Sequence, residues 1–186
     1  MICPHGIKLS RSNAITKDCR LDLITTKRLS IDLLSTDDAD FIVELLNQPD
    51  FIEHIGDRGV RTPADARRYI INGPQKSYVQ HGFGLWKVSI KQSGQAIGMA
   101  GLLQRPNLIS ADIGYGFLPI GRGQGYALEA AEAILQFANH ELRLVDVVAL
   151  VSHNNSPSIR LLEKLGMTFH QEHFIPGENV SCLLYG

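Results

Sequence analysis

The sequence predicts an α/β (α+β) fold with one central sheet, mixed and mostly antiparallel, of about six to seven strands, together with about four helices. Three observations predict it. Short segments of alternating apolar and polar residues follow one another, separated by glycine-containing turns. A strand, a long helix and a second strand then occur in that order over residues 109–151, which predicts one parallel pair. The 186 residues, 44% of them hydrophobic, suffice for one large core.

Composition limits the partners and the compartment that we expect. The 18 basic and 19 acidic residues give a net charge of -1, which does not favour binding to nucleic acid or to an anionic membrane. No apolar run is long enough to span a bilayer. The three cysteines, Cys3, Cys19 and Cys182, are odd in number and widely spaced, which favours a reducing compartment. We therefore predict a cytoplasmic protein with no metal site.

The domain organisation follows from where the pattern becomes regular. Residues 1–22 mix polar and apolar residues without a clear period, so we expect a loosely ordered extension there and a single domain over residues 23–186. Alternation over residues 29–33 predicts the first strand, and Ser35 is placed to cap a helix that ends before Pro49. Residues 51–60 contain two glycines and are expected to form a surface segment. Thr62 and Pro63 then predict the start of a second helix.

The middle of the chain predicts an antiparallel meander. Residues 86–90 and 97–103 alternate on either side of the turn sequence QSGQ. Residues 109–117 alternate most clearly. One face of that segment carries apolar residues, and the other carries Ser110, Asp112, Gly114 and Gly116. Glycines inside a strand often indicate a bulge or a place where a ligand or another backbone comes close, so we expect a group to dock on this face.

Two more helices and three more strands complete the prediction. Residues 126–140 form the clearest helix, with a wide apolar arc that predicts burial. The run VDVVALV is typical of a strand covered on both faces. A last helix is predicted from Ser156 as the cap and Pro157 as its first residue, ending at Gly166 with Met167 packed back. Strands near residues 169–175 and 180–184 follow.

The glycine-rich segment GRGQGYA, residues 121–127, lies between a strand and the start of the long helix. Free N–H groups and a partial positive charge at a helix start bind anions, which makes the segment a candidate cradle for a diphosphate. A simple glycine-rich turn is the alternative. A triphosphate-binding loop is excluded because Gly125 is followed by Tyr126 and Ala127 where Lys and Ser or Thr are needed. Asp146 suits a dinucleotide fingerprint, but Tyr126 stands where that pattern needs a third glycine.

Two sequence blocks carry a resemblance to a known family. The arrangement R-x-x-G-x-A at Arg122, Gly125 and Ala127 resembles the acyl-CoA-binding motif of the GNAT N-acetyltransferases. The string NNSPSIRLLEKLGM, residues 154–167, resembles the downstream helix of that family. The opening TTKRLSIDLLSTDDAD and the strand ending in DIGYGF are most similar to the branch of the ribosomal-protein N-terminal (alanine/serine) acetyltransferases. The resemblance extends from about residue 25 to residue 184.

The resemblance implies a GNAT-like fold and acetyl-CoA as co-substrate. It implies that backbone N–H groups hold the pyrophosphate and that the bulged strand around Phe117 and Leu118 pairs with the pantetheine amides. It also implies that Asn155 bonds the pantetheine arm, although an Asn before a helix is equally typical of a cap. The cofactor-binding residues implied are Phe117, Leu118, Arg122, Gly123, Gln124, Gly125, Tyr126, Ala127, Asn155 and Ser158.

Direct transfer of the acetyl group needs a neutral amine and a proton for the departing thiolate, and it needs no cysteine nucleophile. Asp112, on the glycine face, is the candidate base, and its alternative is a solvated strand residue. By resemblance Ser158 is the candidate acid. Its alternative is a role in capping the helix. The rival bases are His153, His170 and His173.

The acceptor is predicted only by class. It is a primary amine, either the N-terminal amine of a protein, which the resemblance implies is a ribosomal protein, or a small molecule such as an antibiotic, a polyamine or an amino acid. A non-catalytic acyl-CoA-binding sensor is the alternative of a different class. A monomer or a homodimer is expected. The candidate walls of the acceptor groove are Phe51, His54, Asp57, Arg58 and Trp86.

Overall fold

The structure, a computed structural model, describes residues 23–174 and 181–186. The predicted extension over residues 1–22, with Cys3 and Cys19, lies outside the described residues, as does the start of the last predicted strand at Val180. Within the described ranges, no helix has the length and apolar character needed to cross a bilayer.

The described residues form one eight-stranded sheet in the order β1-β2-β3-β4-β5-β6-β8-β7, which confirms the predicted fold class. All neighbours are antiparallel except β5 and β6, which are the predicted parallel pair. A two-residue strand, β1, was not predicted. The strands are β1 (Ile24–Thr25), β2 (Leu29–Asp32), β3 (Leu85–Ile90), β4 (Ala96–Leu103), β5 (Ala111–Phe117), β6 (Val147–Val151), β7 (Phe169–Phe174) and β8 (Ser181–Tyr185).

The helices lie on both faces of the sheet. One hydrophobic cluster joins α5 and α6 to the sheet, and another joins α1, α2 and α3. Met99 belongs to the second cluster and its neighbour Ala100 to the first, so the clusters lie on opposite faces of β4. The helices are α1 (Ala39–Leu46), α2 (Pro49–Ile55), α3 (Pro63–Ile70), α4 (Lys76–His81), α5 (Tyr126–His140) and α6 (Ser156–Lys164).

The surface segment predicted over residues 51–60 is confirmed only in its second half, where residues 57–59 are exposed, because Pro49 begins a helix that runs to Ile55. Proline fits the first helical position, where its missing N–H would have no partner in any case. Phe51 is buried, and α2 ends at Gly56, whose φ of 104° few other residues adopt. The helix that starts at Pro63, as predicted, continues through a π-helical turn at Ile71–Gln75 into α4.

Strand β5 is shorter and more regular than the sequence predicts. It begins at Ala111, and Ile109, predicted to lie on its apolar face, is fully exposed. Its pairing with β4 runs without a register shift from Gly98↔Phe117 to Leu103↔Asp112, so no bulge appears on that side. The irregularity lies towards β6, where parallel pairing stops after Asp112↔Val148. Beyond that point the two strands leave an opening in the sheet.

Candidate active site

A cavity of about 580 Å³ lies beside this opening. Its walls are the last turns of α2, the end of β5, the glycine loop with the start of α5, and the first turns of α6. These elements are distant in sequence and meet here because β5 and β6 separate. The predicted cofactor residues in the walls are Phe117, Arg122, Gly123, Gly125, Ala127, Asn155 and Ser158.

The loop before α5 has the backbone geometry of an anion cradle. Gly123 and Gly125 have φ values of 70° and 77°, which glycine adopts without a steric penalty. Gly125 is the N-cap of α5, and no side chain there accepts from the first N–H groups of the helix. The start of this 15-residue helix, with its uncapped N–H groups and partial positive charge, lies at the cavity, whose walls include Gly125, Ala127 and Leu128.

Arg122 is engaged by the protein itself. Its Nε donates to the carbonyl oxygen of Phe117 at 2.8 Å, and its Nη1 and Nη2 lie 2.6 and 3.1 Å from the two carboxylate oxygens of Asp50. This two-pronged pair joins the loop to the first turn of α2. The backbone of the loop, more than the Arg122 side chain, is thus left to meet an anion. Two further cations, Arg160 and Lys164 of α6, lie in the walls.

Arg28, which sequence reasoning missed, holds the loop from behind. Its guanidinium donates to the carbonyl oxygen of Gln124 at 2.8 Å and lies 4.5 Å from the ring centre of Tyr126. It also bonds Glu129 of α5 at 2.6 Å, which ties Arg28 to the first turn of that helix. Burial opposes ionisation of Glu129, but hydrogen bonds from Thr26 and Arg28 outweigh it and lower its pKa. Arg28 lies 96 residues from Gln124, so no local pattern indicates the contact.

Gln124 and Tyr126 lie behind the loop because of these contacts, outside the cavity walls. Leu118 is also absent from the walls. Its N–H donates to Ile97 and its carbonyl oxygen accepts from Gly121, both at 2.8 Å, so its backbone is already paired. Phe117 remains as the wall residue of the predicted pair.

At the start of α6, the helix cap is Asn155, and the prediction of Ser156 as the cap was wrong. The Asn155 side-chain oxygen accepts from the Ser158 N–H at 3.1 Å, and Ser156 is the first helical residue. The side chain of a capping residue bonds the backbone N–H two or three residues later. Asn155 meets this requirement through Ser158, so the helix begins at Ser156, one residue earlier than predicted. Beside it, the Tyr115 hydroxyl donates to the Ser158 carbonyl oxygen at 3.4 Å. Burial raises the pKa of Tyr115, which keeps this hydroxyl protonated.

Asp112 lies outside the cavity walls, although it shares a strand face with Gly114 and Gly116. Its carboxylate is 1% exposed and accepts from Arg105 Nε at 2.5 Å and from the Leu150 N–H at 3.2 Å. Burial raises its pKa, and the Arg105 guanidinium opposes that rise. Leu150 lies two residues beyond Val148, the last residue of β6 that pairs with β5, so the side chain of Asp112 replaces the β5 backbone as the partner of β6. The base role of Asp112 stays a prediction.

The rival histidines also lie outside the walls. His153 is exposed and its Nε2 lies 3.1 Å from the Ser181 hydroxyl. His170 is exposed, and His173 has a buried Nε2 with no hydrogen-bond partner in the described chain. Cys182 is buried and donates to the His173 carbonyl oxygen at 3.3 Å. Within the described ranges, no cysteine lines the cavity and no cluster of three metal-ligand side chains occurs.

The candidate acceptor walls divide into two groups. Phe51 and His54 do line the cavity, on α2. Asp57 and Arg58 follow α2 and do not line it, and Asp57 pairs with Arg61 at 2.5 Å. The prediction of Trp86 was wrong, because this side chain is 1% exposed and packs edge-on against Phe137 in the core.

Comparisons with known proteins agree with this geometry. Residues 28–168 match the sequence profile of the Acetyltransferase (GNAT) domain. An uncharacterized protein of Bacillus subtilis, YkkB, is 32% identical over 127 residues, which are 67% of this chain and 72% of YkkB.

Solved structures share the fold. A GNAT-family acetyltransferase from Bacillus anthracis has a TM-score of 0.71 at 26% identity, over 87% of this chain and 94% of that one. A candidate ribosomal-protein-serine acetyltransferase from Vibrio cholerae has a TM-score of 0.72 at 22% identity, with the same coverage of both chains, which is a likeness in fold alone.

Proposed function

The chain belongs to the acetyltransferase (GNAT) family and is an N-acetyltransferase, and we propose that it transfers acetyl from acetyl-CoA directly to the N-terminal amine of a protein. The observation that carries the use of acetyl-CoA is the loop of residues 122–125 in front of the uncapped start of α5. Its N–H groups line a cavity that also holds Arg160 and Lys164. This arrangement suits the pyrophosphate of CoA, whose negative charges a helix start stabilises.

The remainder of acetyl-CoA is proposed to follow the opening beside β5. Parallel pairing with β6 ends at Asp112, so the backbone near Tyr115, Gly116 and Phe117 has no neighbouring strand on that side. The pantetheine amides can pair there as an added strand would. Asn155 lies in the same wall, and because its oxygen caps α6, its amide nitrogen is the atom left to bond the pantetheine arm. The backbone N–H groups of residues 122–127 complete the proposed cofactor site.

The chemistry proposed is direct attack. The amine nitrogen forms a bond to the thioester carbon, the C–S bond breaks, and the thiolate takes up a proton. Ser158 is proposed to supply that proton, since its side chain lines the cavity and its backbone is fixed by Asn155 and Tyr115. No covalent intermediate on a cysteine is proposed, because in the described part of the chain none reaches the cavity.

The protein N-terminus as acceptor rests on the resemblance of residues 25–40 to the ribosomal-protein branch and on the fold shared with the Vibrio cholerae structure. The acceptor end of the cavity is proposed to be the α2 side, where Phe51, His54 and Ile55 form the wall. A small amine would enter by the same side, so acceptors of both kinds belong in the test.

The test measures thiol release from acetyl-CoA with three additions: a short peptide with a free N-terminal alanine or serine, the same peptide already acetylated, and spermidine. We expect release with the free peptide and none with the blocked peptide, because only a free amine attacks the thioester. Release with spermidine alone would move the acceptor to small amines. Binding of acetyl-CoA without release for any amine would instead indicate a sensor module.

A further inference from the structure

One polar atom in the cavity wall has no partner. His54 lies in the last turn of α2, and its Nδ1 is buried without a hydrogen bond to any described residue. Its ring lines the cavity. Because this Nδ1 has no exposed surface, a ligand cannot reach it, and the other ring nitrogen, Nε2, is the atom of His54 that can meet a group in the cavity.

The position of His54 is fixed by contacts to both strands that border the opening. The Phe51 ring, one turn earlier on α2, lies so close to Gly116 of β5 that a Cβ there would be 3.0 Å from it. The Ser152 hydroxyl, directly after β6, donates to the His54 carbonyl oxygen at 3.1 Å. Together they place the imidazole between the ends of β5 and β6, beside the opening where the thioester is proposed to lie.

The neighbouring charges are already engaged. Asp50 is paired with Arg122, Glu53 accepts from the Asn154 side chain at 3.4 Å, and Arg58 donates to the Ile55 carbonyl oxygen at 3.1 Å. Among the described residues that line the cavity, Asp50 and His54 are the ones with a carboxylate or an imidazole side chain, the groups that most often act as general bases. Asp50 is paired with Arg122, so the His54 imidazole, through its Nε2, is the group left to take a proton from an incoming amine.

We propose that His54 is the general base that takes the proton of the acceptor amine, an inference that rests on the proposed acetyl transfer. The protonated amine gives one proton to the imidazole, which becomes imidazolium, and the neutral nitrogen then attacks the thioester carbon. As the C–S bond breaks, the attacking nitrogen gives its second proton to the Ser158 hydroxyl, which passes its own proton to the thiolate, and the imidazolium releases its proton to solvent. The products are the amide, CoA thiol and one proton, so atoms and charge balance.

The experiment compares His54→Ala and His54→Gln with the parent and with His140→Ala. His140 is exposed at the far end of α5 and serves as the matched control for loss of an imidazole. We expect kcat to fall about 10²- to 10⁴-fold in both His54 variants, the usual contribution of general-base catalysis, with little change in the KM for acetyl-CoA. Added imidazole should restore part of the rate in His54→Ala, whose truncated side chain leaves room for it, and not in His54→Gln.

Folding and binding are checked separately. Circular dichroism and melting temperature show whether the variants fold. In protein labelled with ¹³C-histidine, the His54 signals should shift when a peptide with a free N-terminal alanine is added to the CoA complex, without turnover. Parental kcat in a folded variant would overturn the inference, and so would a loss that imidazole does not restore or an unmoved His54 signal. A parent that releases no thiol with any amine contradicts the proposed function instead, and the ring signals still decide whether His54 meets the amine.

Discussion

The contacts of Asp112 show why a position on the glycine face of β5 does not by itself establish a catalytic role. Both of its carboxylate oxygens are used, one by Arg105 and one by the Leu150 N–H. We therefore expect Asp112→Asn to lower the free energy of unfolding by about 1.5–3 kcal/mol, the usual value of a hydrogen bond to a charged group, with kcat near that of the parent. The amide oxygen still accepts from Leu150. Urea unfolding and a pH-rate profile measure both quantities.

The outcome that would support the predicted base role of Asp112 is a kcat reduced about 10²- to 10⁴-fold at neutral pH and partly recovered at high pH. Asp112→Ala is the companion variant. It removes the acceptor for Leu150 as well, so it should destabilise more and raise the KM for acetyl-CoA, because β6 loses its anchor on β5. Burial raises the pKa of Asp112, so the folded state binds this proton more tightly than the unfolded state does. The contribution of Asp112 to the free energy of unfolding therefore increases as the pH falls.

The sequence predicts which residues lie at or near the site better than it predicts the contacts that each residue makes. Alternation placed Asp112 on the glycine face correctly, and His54 was predicted as a wall residue. Their partners could not be predicted, because Leu150 lies 38 residues from Asp112 and Ser152 lies 98 residues from His54. Burial and hydrogen bonding across such separations depend on the packed structure, whereas the period of a strand depends only on neighbours.

Among the elements, the loop before α5 gives the sharpest test. Gly125→Val forces a β-branched side chain to a φ of 77°, which costs roughly 1–2 kcal/mol, and disturbs the N–H groups that face the cavity. Gly94→Val is the matched control, since Gly94 has a φ of 70° in the β3–β4 turn with nothing within 4 Å of an added Cβ. Both variants should lose similar stability, and only Gly125→Val should lose affinity for acetyl-CoA, measured by calorimetry.

Equal affinity in Gly125→Val and the parent would remove the loop from the cofactor site. A similar loss in both variants would instead mean that affinity follows overall stability. The added Cβ at Gly125 would lie 3.4 Å from a guanidinium nitrogen of Arg28, so displacement of that side chain is a second route to the same loss. By either route, the loss of affinity for acetyl-CoA would result from a displaced backbone in residues 122–127, because Arg28 bonds the Gln124 carbonyl oxygen.

Helix boundaries show where sequence signals are ambiguous. From the sequence, Pro49 predicts only that the preceding helix ends before it, yet Pro49 is also the first residue of α2. Proline both stops a helix and fits the first turn of the next one, so the residue type alone does not distinguish the two. That ambiguity hid the helix that bears Phe51 and His54. The cap of α6 is ambiguous in the same way, because Asn155 and Ser156 are both good capping residues and only the bond to Ser158 decides. By contrast, α5 occupies exactly the predicted residues, because its pattern is long and its glycine start is clear.

For the whole molecule, the cavity lies between two hydrophobic clusters. Phe51 of α2 belongs to one cluster, and Ala130 and Leu162 of α5 and α6 belong to the other. The Asp50–Arg122 ion pair connects α2 to the loop before α5. Its side chains are 41% and 39% exposed, and ion pairs so exposed contribute little to stability in water. A ligand in the cavity would therefore be the main connection between α2 and the loop.

This arrangement predicts that acetyl-CoA stabilises the whole fold. A ligand that binds only the folded state adds about 2.7 kcal/mol at 100 times its Kd. For a domain of this size each kcal/mol raises the Tm by roughly 2–4 °C, so we expect an increase of about 5–11 °C. Amide hydrogen exchange should slow in α2 as well as in residues 122–127, because the ligand contacts both walls. Gly125→Val should show neither effect at the same concentration. Protection confined to the loop would mean that acetyl-CoA does not reach α2, and a Tm unchanged by acetyl-CoA in the parent would contradict the cofactor site as a whole.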